Sequence, residues 1–280
     1  MTAKEEPQVD ENMKNIVREF YGKIASGMTQ ACGPGVACGL PEHFNVEAGR
    51  RIGYAMEDLQ SVPEAANLGL GCANPVAVAV LRKGDSALDL GCGAGLDCFL
   101  AADRVGPAGR IIGVDLTPEM VERARENTAK GPYGQVEFRE GDIEELPFEN
   151  ASLDVILSNC SINLAPDKDK VFAEAWRVLK PTGKLIVADI ALLEPLPDIL
   201  TGAVDLYVGC LAGAMIKGDC LEAIRAAGFK EVGIVRESPI PIDFIGHDSV
   251  WKVVRISLID AEIAALEKSV LSILVTAKKE

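Results

Sequence analysis

The sequence predicts a doubly wound α/β fold: a mostly parallel seven-stranded sheet with helices on both faces, preceded by an N-terminal helical and loop segment. Three observations predict it. From Ser86 onward, short apolar runs of strand length alternate with amphipathic runs of helix length. A glycine-rich stretch, Gly91-Cys92-Gly93-Ala94-Gly95, falls where the first strand meets the first helix. An acidic residue, Asp115, ends the next strand about twenty residues further on.

The elements follow in order. A helix over Glu11–Ala25 comes first, then the loop Cys32-Gly33-Pro34-Gly35-Val36-Ala37-Cys38-Gly39, too rich in glycine and proline for helix or strand. Residues 40–83 are mixed, with short helices expected over Ala48–Tyr54 and Pro75–Leu81. Ser86–Leu90 is the first strand, and the apolar helix after the glycines runs through Ala102. Arg110–Asp115 is the second strand. Thr117 is placed to cap the next helix, with Pro118 at its first position, and that helix extends to about Lys130. Strands follow at Gln135–Arg139 and Leu153–Ser158. The helix Lys168–Leu179 is stopped by Pro181 and Gly183, and the fifth strand is Lys184–Ile190. Helix Asp219–Ala227 and strands Glu231–Glu237 and Val270–Lys278 complete the sheet, while Pro239–Glu267 shows no clear pattern. This divides the chain into an N-terminal segment (1–75), a core (76–237) with an insertion on the substrate side (191–217), and a C-terminal segment holding the last strand (238–280).

The formal net charge of −14 argues against a nucleic-acid partner and against docking on anionic lipid. No apolar run reaches the roughly 18 residues of a membrane span. The polar, acidic opening Met1–Asp10 does not read as a secretory signal, so a cytoplasmic location is expected. The eight cysteines are then expected as reduced thiols. They form no CxxC pair, and with only His43 and His247 alongside them no resident metal site is signalled.

A glycine turn of this kind is in isolation a weak signal, shared by nicotinamide enzymes. The residue details go further. Asp89-Leu90-Gly91-Cys92-Gly93-Ala94-Gly95 resembles the first motif of class I methyltransferases, the Rossmann-like family that uses S-adenosylmethionine. Gly141-Asp142-Ile143-Glu144 and Leu179-Lys180-Pro181-Thr182-Gly183-Lys184 resemble two later motifs, in the right order. The resemblance implies that Asp89, Gly91 and Gly93 hold the methionine end of the cofactor, Asp115 with Leu116 the ribose, and Asp142 with Ile143 the adenine. Cys92, within the turn, and Asn159 complete the expected cofactor set.

Cys160 lies in Ser158-Asn159-Cys160-Ser161-Ile162-Asn163, just past the fourth strand, on the side where open α/β sheets bind ligands. Position alone leaves it either a site residue or a small buried hydrophobe. Four stretches, around Cys72, Cys98, Cys160 and Cys210, are similar to arsenite methyltransferases of the microbial type. That resemblance covers about residues 15–230. It implies that arsenite, and methylarsenite after it, is held by Cys72, Cys160 and Cys210. Trivalent arsenic is soft and thiophilic. Three sulfurs leave it a lone pair able to attack the sulfonium methyl, so no general base is required. Each methyl formally oxidises arsenic, which implies a disulfide intermediate and a glutathione- or thioredoxin-type reductant. Cys98 is expected in the core, Cys220 has no assignment, and Cys32 and Cys38 are either relay thiols or idle ones. Ala73 and Ala165 depart from the glycine and serine expected of close members.

Two other readings share these motifs. One is a carbon or oxygen methyltransferase of a small molecule such as a quinone precursor, which has no use for three cysteines. The other is a non-catalytic sensor of arsenite or redox state.

Overall fold

The structure, a computed structural model, describes residues 6–28, 43–240 and 258–280. Cys32, Cys38 and His247 lie outside the described residues.

The first strand, β1 (Ser86–Leu90), pairs in parallel with β2 (Arg110–Asp115) on one side and with β4 (Leu153–Asn159) on the other. β3 (Val136–Glu140) extends the sheet beyond β2, and β5 (Leu179–Leu192) lies beyond β4. Two antiparallel strands finish it, giving the order β3-β2-β1-β4-β5-β8-β7, with β7 spanning Lys230–Pro239 and β8 Val270–Lys278. These are the seven expected strands. An additional two-residue strand, β6 (Met215–Ile216), pairs with the end of β5.

The order reverses between β1 and β4, because the crossovers from β1 lead one way and those from β4 the other. Such a switch point opens a crevice at the carboxyl ends of the strands. The central strands are covered on both faces, as parallel strands normally are. Leu88, Leu90, Ile112, Ile156 and Phe172 pack in one core layer, and Phe99, Leu157, Ile186 and Leu274 in the other. Each such side chain contributes about 1.5–3 kcal/mol on burial.

Several boundaries differ from the sequence reading. Helix α1 begins at Glu6 rather than Glu11 and runs to Ala25, since Pro7 sits in the first turn, where its missing N–H costs nothing. Helix α2 covers His43–Arg51 and does not reach Tyr54: Gly53, at φ 107, turns left-handed and ends it, with Tyr54 N donating to Gly49 O at 3.0 Å. The expected helix at Pro75–Leu81 is a single turn, in which Asn74 Oδ1 accepts the Ala77 N–H at 3.0 Å. Helix α3 (Met56–Ser61) lies in the mixed region. Thr117 does stand before the helix α5 (Pro118–Thr128), but its side chain makes no capping bond. Its hydroxyl turns to Asp115 instead. Strand β5 starts at Leu179, not Lys184, because Pro181 and Gly183 sit in an irregularity that shifts the register between Leu153 and Val155 on β4.

Helix α4 (Leu96–Val105) follows the glycine turn, and α6 (Lys168–Val178) starts at Asp167, whose carboxylate accepts the Lys170 N–H at 2.9 Å. After β5 come two short helices, α7 (Asp198–Thr201) and α8 (Val204–Val208), and a loop through Cys210. Helix α9 (Lys217–Ala226) returns the chain to β7, and α10 (Asp260–Ser269) leads into β8. The N-terminal helix α1 packs on α5 through Ile24 and Met120, and Arg123 donates to the Ala25 carbonyl at 2.8 Å. No described helix is long and apolar enough to cross a membrane.

The loop through Cys210 is held by a close backbone approach. A Cβ on Gly213 would lie 2.1 Å from the Asn163 carbonyl oxygen, while Asn163 Nδ2 donates to Ile190 O at 2.7 Å and Cys210 O at 3.3 Å. Gly213→Ala should therefore destabilise the fold by about 1–3 kcal/mol through overpacking. Urea unfolding would read this as a lower midpoint at constant slope, and an unchanged midpoint would contradict the contact.

Candidate active site

The glycine turn after β1 is built for close approach. Gly91 and Gly93 have φ of 68° and 51°, and the N–H groups of Gly91 and Cys92 both donate to Val114 O on β2. A Cβ on Gly91 would stand 2.3 Å from that of Ser161. The Ser161 hydroxyl bonds to the Leu90 carbonyl and pairs with Ser158 Oγ, so the ends of β1 and β4 are tied together. Asp115, at the end of β2, accepts Gly93 N–H at 2.8 Å on one oxygen and Thr117 N–H at 2.9 Å on the other. With the Thr117 hydroxyl also bonded, the carboxylate keeps room for one further donor.

These parts border an open cleft of about 1120 Å³, counting its solvent-filled mouth. All nine residues expected to hold the cofactor border it, from Asp89 in the turn to Asp142 and Ile143 after β3. The glycines leave room for a ligand against the backbone, and Asp89, Asp97, Asp115 and Asp142 stand along the cleft, so the residues present fit S-adenosylmethionine. Two members of the set have other duties. The Cys92 thiol packs down over Gly113, where a Cβ would meet its sulfur at 2.7 Å, and burial pushes it up to about 11. Asn159 spends its amide on protein: Nδ2 lies at 2.9 Å from Asp97 and from Ala73 O, and Oδ1 accepts the Cys72 N–H at 3.1 Å.

Lys14 of α1, which the sequence reading missed, lies 2.7 Å from Asp142 and 2.5 Å from Glu144. Burial pulls its ammonium down, but the two carboxylates outweigh burial and raise it overall. At the inner end of the cleft, Tyr54 donates to Asp97 at 2.6 Å. Burial pushes Asp97 up to about 6, against the pull of Tyr54 and Asn159. Burial likewise holds Asp89, 3% exposed, well above the ordinary carboxylate range.

The three matched cysteines come together here. Cys72, Cys160 and Cys210 are 4%, 6% and 2% exposed, and all are free thiols. The Cys160 thiol lies near both of the others. Cys210 Sγ also lies 3.2 Å from the Cys160 carbonyl. Cys160 borders the cleft, and its partners lie beyond it. Among the described residues no group of three or more His, Cys, Asp or Glu is arranged to hold a metal ion. The three thiols are thus neighbours in a row of residues about Cys160 without being gathered as a metal cage. Burial pushes the thiols of Cys72 and Cys160 up. Cys160 and Cys210 both adopt left-handed backbone, at φ 58° and 65°. That conformation costs on the order of 1–3 kcal/mol for a residue with a Cβ.

Tyr21 of α1 was also missed. Its hydroxyl donates to Val208 O at 2.8 Å and meets the Cys210 thiol. Among the described residues, the other cysteines lie apart from these three. Cys98, fully buried, donates to Asp89 at 3.4 Å, and Cys220 packs in the opposite core layer.

The model of a family described as methyltransferase domain matches residues 81–228. The chain is 43% identical over 242 residues to the arsenite methyltransferase of Halobacterium salinarum, covering 84% of this chain and 61% of that protein. It is 38% identical to the arsenite methyltransferase of Aquipseudomonas alcaligenes, covering 82% and 66%. The chain therefore spans less than two thirds of the length of these relatives. Among solved structures it resembles CrArsM, an arsenic(III) S-adenosylmethionine methyltransferase from Chlamydomonas reinhardtii, with a TM-score of 0.62 and 29% identity over 84% of this chain and 73% of that one.

Asp115→Ala removes the acceptor for two backbone donors and the carboxylate expected to hold the ribose. It should weaken S-adenosylmethionine binding by about 1.5–3 kcal/mol, the scale of a hydrogen bond to a charged group. Calorimetric titration showing equal affinity in a folded variant would contradict this role.

Proposed function

The chain belongs to the methyltransferase-domain family and has the class I S-adenosylmethionine-dependent fold, and from that premise we propose that it methylates trivalent arsenic held by Cys72, Cys160 and Cys210. The observation that carries this reading is the place of Cys160: Cys210 Sγ lies 3.2 Å from its carbonyl, Cys72 is bonded through its N–H to the adjacent Asn159, and Cys160 itself borders the cofactor cleft.

Arsenous acid has three hydroxyls to exchange. Three neutral thiols replace them with three As–S bonds and release three waters, so the exchange needs no net gain or loss of protons. Thiols held protonated by burial suit this exchange. The row must close around arsenic, which brings Cys72 and Cys210 round to the sulfur of Cys160. The lone pair on three-coordinate arsenic is then the nucleophile, so the buried acids nearby have no base to supply. S-adenosylmethionine, when bound, supplies the electrophilic methyl group. The residues of the glycine turn, Asp115 and Asp142 would hold it along the cleft, with Lys14 and Tyr21 of α1 forming one wall. The protein contributes position and the exclusion of water. Accepting a methyl cation makes arsenic formally pentavalent. Two thiols can return two electrons to it by forming a disulfide, and a glutathione- or thioredoxin-type reductant would restore them.

A carbon or oxygen methyltransferase would use the same cleft but leave the three clustered thiols without a duty. A non-catalytic sensor would bind both ligands without turnover.

Cys160→Ser and Cys210→Ser should each abolish methylation of arsenite and of methylarsenite. Cys72→Ser should harm the first methylation most, because a methylated arsenic needs only two thiolates. Cys32→Ser, Cys38→Ser, Cys98→Ser and Cys220→Ser should stay within about tenfold, near 1.4 kcal/mol. Single-turnover assays with arsenic speciation, on variants checked for folding and cofactor binding, would read this. Full activity in a folded Cys160→Ser enzyme would remove the three-thiol site, and no methylated product from the unaltered chain would favour the sensor.

A further inference from the structure

The last strand carries a residue that its apolar surroundings do not explain. Strand β8 opens Val270-Leu271-Ser272-Ile273-Leu274-Val275, in which Ser272 is the one polar side chain. Alternate residues of a strand face opposite sides. Ser272 therefore shares a face with Val270 and Leu274, which pack in the same core layer as Cys72, Cys160 and Cys210. Leu271, Ile273 and Val275 pack in the other layer. A hydroxyl only 8% exposed in such a place requires a partner.

The partner lies 200 residues away in sequence. Ser272 Oγ donates to the Cys72 carbonyl at 2.8 Å, which sets the hydroxyl beside the Cys72 residue. On its other side, Cys72 donates its N–H to Asn159 Oδ1 at 3.1 Å. The segment around Cys72 belongs to no helix or strand, so no backbone ladder of its own sets its position. Its N–H is fixed by the end of β4 and its carbonyl by β8.

We propose that Ser272 is a positioning residue for the thiol site: it anchors the Cys72 carbonyl and so holds the Cys72 sulfur against Cys160, where inorganic arsenite finds its third thiol. The proposal rests on the three-thiol reading above. It has a consequence that a purely structural role lacks. Arsenous acid exchanges three hydroxyls and methylarsenous acid two, so a residue acting through Cys72 matters for the first ligand and not for the second, which Cys160 and Cys210 hold.

The test is equilibrium dialysis of the full chain against arsenite and, separately, methylarsenite, with bound arsenic counted by mass spectrometry. Ser272→Ala should bind arsenite about five- to tenfold more weakly, the effect of one lost buried hydrogen bond. Methylarsenite and S-adenosylmethionine should bind within about twofold of the unaltered chain, and Ser272→Thr should recover arsenite binding. If Ser272→Ala does not fold, Ser272→Thr and Ser272→Val, nearly equal in shape and differing in the hydroxyl, make the same comparison. Equal weakening of both arsenicals, or of neither, overturns the proposal when Cys72→Ser in the same assay is selective for arsenite. If Cys72→Ser is itself unselective, the three-thiol reading fails first and the role of Ser272 falls with it.

Discussion

The site depends on how β4 ends. Asn159, Cys160 and Ser161 leave the sheet between β1 and β5 with Cys160 turned left-handed, and each of the three is committed in a different direction. The Ser161 hydroxyl bonds to the Leu90 carbonyl, and its Cβ occupies the space a side chain on Gly91 would need. Asn159 holds the Cys72 backbone and Asp97. Cys160 receives Cys210 at its carbonyl and lies near both of the other thiols. One short segment thus joins the cofactor turn to a row of thiols brought from three separate parts of the chain. A right-handed residue at position 160 would send the sulfur elsewhere, which gives a physical reason for strain at this point.

The chemistry expected here explains why so many ionisable groups are buried. Asp89, Asp97 and Asp189 are all 5% exposed or less. Burial pushes Asp189 up to about 7 although it accepts backbone N–H groups from Ile190 and Asn163. A reaction led by an arsenic lone pair has no need of a charged base. A dry site that pushes the thiols of Cys72 and Cys160 up is compatible with exchange that releases water. The cost appears as desolvation of polar groups, offset by the network through Tyr54, Asn159 and Asn163. The apolar layers on both faces of the sheet supply the stability that such a site consumes.

Local patterns in the sequence carried most of the sheet. Strands β1, β2 and β8 lie where the apolar runs place them, because strands covered on both faces are mostly apolar. The Pro75–Leu81 helix did not form beyond one turn, in which the Val78 and Ala79 N–H groups both donate to the Pro75 carbonyl. The start of β5 was misplaced because proline and glycine read as a stop, yet here they sit in an irregular strand edge. That the residues expected to hold the cofactor would border one cleft was legible for a geometric reason: they stand at or near the carboxyl ends of adjacent parallel strands, which the fold must bring together. Lys14, Tyr21 and Ser272 were not legible. They reach the site from α1 and β8, through contacts up to 200 residues apart that leave no local pattern.

The central claim is that three sulfurs from this row surround arsenic together. Arsenic K-edge X-ray absorption on the full chain loaded with one equivalent of arsenite tests it most directly. The account predicts a first shell of three sulfurs with no oxygen in the unaltered protein, and loss of one sulfur in each of Cys72→Ser, Cys160→Ser and Cys210→Ser. An oxygen in the shell of the unaltered protein, or a full three-sulfur shell that persists in Cys160→Ser, would contradict it.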